Sequence, residues 1–196
     1  VQENASLPED GGAQEDDTAQ QDGGAQEDGT AQQDAQLKQD AQLKPLSEGG
    51  RRIEVLVPMR WGDMDAYGHI NNVQIVRMLE EARIAAFGPP RGAGLPGVEP
   101  HVSLFNDVPE GTMALVVDHK IRYVRTLEYR NVPAVVQVWI GAVKGASFDI
   151  HYLVQDPVTR EDCVKASSHL AFVHEATGRV QRLTPEQKER LAPFTV

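Results

Sequence analysis

Between Arg60 and Arg83 the chain reads RWGDMDAYGHINNVQIVRMLEEAR, and the residues able to do chemistry crowd into its first half. Two carboxylates, Asp63 and Asp65, are followed by the pair Gly68-His69 and then by Asn71-Asn72. They stand where a β-type run gives way to a helical one. Such a junction sets a carboxylate beside the unpaired N–H groups of a helix start, which favour negative charge. A carboxylate next to an anion-stabilising pocket can hydrolyse an activated acyl group, either by attacking its carbonyl or by deprotonating water.

Other chemistries fit these residues less well. The spacing Asp63-x-Asp65-x-x-Gly68 resembles the opening of a calcium loop, but that loop wants an oxygen ligand at its fifth position and Glu at its twelfth. Tyr67 and Gln74 stand there instead. His101, His119, His151, His169 and His174 show no metal-ligand spacing, so no metal is expected. Cys163 is the only cysteine, which excludes an intrachain disulfide and a cysteine-rich zinc site. No Gly-x-Ser-x-Gly string marks a nucleophilic serine elbow.

The elements that must position this cluster follow from periodicity. Arg52 to Arg60 places β-branched residues at 53, 55 and 57 and reads as a strand that ends near Pro58. From Asn71 the pattern turns helical: Ile75, Leu79, Ala82 and Ala86 share one face, widened by Val76 and Phe87. Asn71 or Asn72 can cap its start, and Gly88-Pro89-Pro90 stops it. Arg77 with Glu81 and Glu80 with Arg83 can pair along the polar side. Arg91 to Pro109 is a long Gly/Pro-rich loop in which HVSLFN, residues 101–106, is expected to form a short strand. Four longer β runs follow: 112–125, 132–144, 147–155 and 162–174. Their short connections suggest antiparallel neighbours joined by hairpins. Thr184-Pro185-Glu186 opens a short terminal helix. One strand, one buried helix and four more strands give an α+β fold, in which a curved antiparallel sheet of about five strands wraps one long central helix.

Charge divides the chain in two. The whole carries a formal charge of −10, yet residues 1–50 alone hold twelve acidic and two basic side chains, which leaves 17 of each sign in residues 51–196. A neutral body offers no basic stripe to displace counterions from a phosphate backbone, so no nucleic-acid partner is expected. Within the first part GGAQEDDTAQQD (Gly11 to Asp22) is followed at once by GGAQEDGTAQQD (Gly23 to Asp34). A segment this poor in apolar residues cannot offset its ordering entropy, so residues 1–50 are expected to be a disordered acidic tail with a 12-residue repeat. Residues 51–196 are expected to be the folded domain. No apolar run approaches the length that spans a bilayer, and the N-terminus lacks the pattern of a signal peptide, so a cytoplasmic location is expected.

The order of elements, the string GDMDAYGHINN, the helical LEEAR and the closing ATGRVQRLTPE resemble the hotdog-fold acyl-CoA thioesterases of the 4-hydroxybenzoyl-CoA thioesterase-like group. The likeness runs from about Arg52 to Leu191. It implies hydrolysis of an acyl-CoA or acyl-carrier-protein thioester, with CoA entering only as part of the substrate and no further cofactor. It implies Asp65 as the catalytic carboxylate and Asn72 as the position whose backbone N–H polarises the thioester carbonyl. His69 falls on a motif position with a catalytic or supporting role, while Tyr67, Gly68 and Asn71 lie along the substrate-binding turn. Lys144 and Ser147, with His119 and residues 120–125, are candidates to meet the nucleotide end of CoA, against the plainer reading that such strand charges are simply solvated. Asp63 is implied to hold the turn. The same resemblance implies a homodimer or homotetramer with active sites between subunits. Ile75 and Met78 replace residues often aromatic in relatives, and Arg130-Asn131 stands where Gly-Asp is common. A hotdog module that binds acyl ligands without hydrolysing them, or one that serves assembly, is the competing reading.

Overall fold

A computed structural model describes residues 44–45, 50–91, 93 and 99–196. The tail expected over residues 1–50 lies outside the described residues, apart from its border at 44–45 and Gly50. The strands are β1 (Lys44–Pro45), β2 (Arg51–Val57), β3 (Thr112–Tyr123), β4 (Ala134–Val143), β5 (Ser147–Gln155) and β6 (Asp162–His174). The helices are α1 (Asn72–Phe87) and α2 (Pro185–Leu191), with single 3-10 turns at Trp61–Asp63 and Ala192–Phe194. All strands pair antiparallel in the order β1-β2-β4-β5-β6-β3. With β1 only two residues long, the working sheet has the five strands expected.

Alternation in the strands and the helical stripe of α1 explain the core. Ile53, Val55 and Val57 on β2 and Phe148, Ile150, Tyr152 and Val154 on β5 point inward and are buried. Against them α1 buries Ile75, Met78, Leu79, Ala82, Ala86 and Phe87 in one hydrophobic cluster. A single helix cradled by one antiparallel sheet is the hotdog arrangement. Asn71 caps α1 by accepting the Val73 N–H at 2.9 Å, and the Arg77–Glu81 and Arg83–Glu80 pairs form along its side.

Two expectations fail for instructive reasons. Residues 101–106 do not form a strand. The N–H groups of Val102, Leu104 and Phe105 instead donate to the carbonyls of Ala86 and Phe87, at 2.9 to 3.1 Å. Those carbonyls end a helix and have no partner within it, so the segment works as a cap while Leu104 and Phe105 bury beside it. The second failure concerns β3, which pairs with β6 and not with β4. Residues 124–133 therefore make no hairpin but run across the end of the sheet from one strand to another. That crossing carries them past the polar cluster. Among the described residues no helix is long and apolar enough to cross a membrane.

Candidate active site

The loop from Asp63 to Asn71 is closed on itself by backbone bonds. The Asn71 N–H donates to the Asp63 carbonyl at 2.8 Å, and Met64 bridges Ile70. Inside this ring the Asp65 N–H donates to the His69 carbonyl at 2.8 Å, and the Gly68 N–H donates to the Asp65 carbonyl at 3.1 Å. Gly68 takes a φ of 80°, a conformation that side chains rarely adopt, and this lets the chain turn back toward Asp65. The turn points two N–H groups at one carboxylate oxygen: Asp65 Oδ1 accepts from Tyr67 at 2.8 Å and from His69 at 3.2 Å. Among the described residues Oδ2 has no hydrogen-bond partner. One oxygen is thus anchored and the other is available to react.

Asn72 is the first residue of α1, where no carbonyl one turn back exists to receive its N–H. No acceptor for that N–H stands among the described residues. Asp65 and Asn72 both face a cavity of about 530 Å³, with His69, Ile70, Ile75 and the crossing segment Tyr123 to Leu127 among its walls. The crossing segment is held in place by the Ile70 N–H on the Leu127 carbonyl at 2.8 Å and by a bridge between His69 and Glu128. Asp65, the first residue of α1 and an apolar wall therefore border one open space.

Asp63 faces the other way. Only 1 % exposed, its Oδ1 accepts from Arg60 Nε and Nη2 at 3.1 and 2.9 Å. Its Oδ2 accepts from the Arg60 N–H and from Arg77 Nη2, each at 2.8 Å. Burial alone would raise the pKa of this carboxyl, but the Arg60 hydrogen bonds and the nearby Arg77 charge hold it below the usual range. Cys163 is also buried, and burial pushes its thiol pKa up, away from the thiolate form.

Of the residues the sequence singled out, Asp65, His69 and Asn72 meet at the cavity. Gly68 and Asn71 shape the loop without lining the space, and Tyr67 sits on its outer side, 85 % exposed. Arg125, one of the groups expected near the nucleotide of CoA, does reach the cavity. Lys144 and Ser147 lie in the β4–β5 hairpin, where Ser147 pairs with Ala171. The cavity borders Val164, seven residues along the same strand, so one chain does not bring this hairpin to Asp65. Sequence reasoning did not find the wall made by Thr126, Leu127 and Val164: Thr126 and Leu127 lie between strands and are brought in by the crossing, and Val164 is an ordinary residue of β6. Among the described residues no three of His, Cys, Asp and Glu gather to hold a metal.

Comparison with known proteins agrees with this architecture. The family model described as the thioesterase-like superfamily matches residues 59–191. Among solved structures, the PA2801 protein of Pseudomonas aeruginosa is 24% identical, with a TM-score of 0.54, covering 69% of this chain and 95% of its own. A Thermus thermophilus thioesterase complexed with coenzyme A and Zn is 22% identical, with a TM-score of 0.54, covering 70% of this chain and 95% of its own. A DHNA-CoA thioesterase from Staphylococcus aureus is 20% identical, with a TM-score of 0.55 and coverages of 70% and 86%. At these identities the likeness is one of fold. No curated protein matches the chain.

Proposed function

Because this chain belongs to the thioesterase-like superfamily, we propose that it hydrolyses acyl thioesters of CoA or of an acyl-carrier protein at the cavity between Asp65 and Asn72. One observation carries the reading: among the described residues Asp65 has one oxygen tied to two backbone N–H groups and the other without a partner, and it borders the same cavity as Asn72, whose N–H is likewise without a partner there. In the reaction the thioester carbonyl oxygen accepts the Asn72 N–H, and the developing oxyanion is stabilised there. A single preorganised donor of this kind is worth about 3–4 kcal/mol, or roughly 10²–10³ in rate. Asp65 Oδ2 then either removes a proton from water, whose oxygen adds to the carbonyl carbon, or attacks that carbon itself to give a mixed anhydride that water opens. Both routes break the C–S bond and deliver a proton to the leaving sulfur, so acid and free thiol are the products. No cofactor is needed beyond the CoA of the substrate. His69, whose backbone holds both the Asp65 N–H and its carboxylate, supports the nucleophile.

The working unit in this reading is a homodimer, or a tetramer of such dimers, in the cytoplasm. Among the described residues the outer edge of β3 is unpaired, with Val117 60% and Tyr123 51% exposed, and a long edge of this kind with apolar side chains invites a second strand. Tyr123 also lines the cavity, so a second copy on this edge would close it. Antiparallel pairing of two β3 edges would turn the far end of the second sheet, with its Lys144–Ser147 hairpin, toward this cavity. Thiol release from a panel of acyl-CoA and acyl-carrier-protein thioesters tests the activity, with wild type and Asp65→Ala compared. Hydrolysis lost in Asp65→Ala supports the reading. Equal rates in the two would remove Asp65 from the chemistry, and no hydrolysis of any thioester would favour a module that only binds acyl groups.

A further inference from the structure

We infer that Asp63 is a positioning residue for this reaction: a buried carboxylate latch that sets the distance between the Asp65 carboxylate and the Asn72 N–H. The inference rests on the proposed function above and adds a residue that touches no substrate. Asp63 holds three separate parts of the chain at once. Its Oδ1 takes the Arg60 guanidinium and its Oδ2 takes the Arg60 backbone N–H, which together hold the end of the strand segment before the loop. Oδ2 also takes Arg77, which reaches back from the second turn of α1 and is kept in line by Gln74 and Glu81. The Asp63 carbonyl takes the N–H of Asn71, the cap of α1. The loop that carries Asp65 is strung between these anchor points. Slack at Asp63 would move the nucleophile relative to the oxyanion donor.

Charge is needed for this as well as shape. Four N–H groups converge on the two carboxylate oxygens. An asparagine would have to turn its NH₂ toward either the Arg60 guanidinium or the Oδ2 partners, so one arm of the latch must open. A buried ion pair adds little net stability compared with well-packed apolar residues, and register is the better-attested gain. Catalysis is sensitive at this scale, since a misplacement of about 1 Å can cost about 10²-fold.

The test is steady-state kinetics of the full chain on its best thioester substrate, for Asp63→Asn, Arg77→Gln, Asp65→Asn and the Asp63→Asn/Asp65→Asn double variant, each checked for folding by circular dichroism. Asp63→Asn and Arg77→Gln are expected to lower kcat by about 10–100-fold with KM changed less than about three-fold. On the Asp65→Asn background the Asp63→Asn change is expected to cost less than about two-fold, because the group it positions is already gone. Arg77→Gln carries the test should Asp63→Asn fail to fold. An unchanged kcat in a folded variant overturns the inference, and so does an undiminished loss on the Asp65→Asn background. If Asp65→Asn alone keeps the wild-type rate, the proposed function fails first and takes the latch with it.

Discussion

Two buried carboxylates of this protein do opposite work from the one proposed to react. Asp65 keeps an oxygen free, whereas Asp63 and Asp156 commit both of theirs to the fold. In the β5–β6 turn Asp156 Oδ1 accepts the N–H groups of Val158 and Thr159, each at 2.9 Å, and Oδ2 faces Arg130 at 3.3 Å. Burial would raise its pKa, but those N–H groups and Arg130 hold it below the usual range. A carboxyl with a depressed folded pKa contributes stability that is fully present above its unfolded value of about 3.9 and is lost as pH falls through the folded value. Unfolding free energy from urea titration should therefore hold down to about pH 4 and drop below it, and Asp156→Asn should narrow that drop while costing about 1–2 kcal/mol at pH 7. A variant as stable as wild type at pH 7, with the same acid drop, would contradict this role. The sequence singled out Asp65 because its motif is local, and the structure sets it beside the cavity. The duty of Asp63 was legible only as holding the turn, since its partner Arg77 lies fourteen residues on and meets it only once the helix has docked.

At the scale of elements, the strands 147–155 and 162–174, the α1 helix with its Asn71 cap and the Thr184–Pro185 start were readable from periodicity and cap chemistry. The two misread segments were those whose fate depends on partners far away in sequence. Residues 101–106 carry strand-like composition, yet the open carbonyls at the end of α1 claim their N–H groups. The short connection between the runs 112–125 and 132–144 looks like a hairpin loop, yet the strand order sends residues 124–133 across the sheet, and Val124 to Leu127 wall the cavity. If the first of these is a true cap, Leu104, which is fully buried, anchors it. Leu104→Ala should cost about 2–5 kcal/mol in equilibrium denaturation. A loss below about 1 kcal/mol would show that the segment lies against the helix without stabilising it.

For the whole molecule, composition separated an acidic first part from a neutral body, and the hydrophobic patterns were enough to place one helix inside one sheet. Which strand would be left with a free edge was not readable, because that follows from pairing order and not from any single run. The β3 edge, with Val117 and Tyr123 exposed, is where assembly and catalysis should meet. Val117→Lys is expected to shift sedimentation toward the monomer and to reduce thioester hydrolysis in parallel; full activity in a monomeric variant would show the site complete in one chain. All of this turns on the carboxylate inside the loop. The most direct measurement is kcat/KM for hydrolysis of the best acyl-CoA thioester by wild type and by Asp65→Asn, which keeps the size of the side chain and its acceptor for the Tyr67 and His69 N–H groups. Loss of the charged, free oxygen should lower kcat/KM by about 10²–10⁴-fold, the range of a general base or nucleophile. A folded Asp65→Asn protein that hydrolyses within about three-fold of wild type would contradict the assignment.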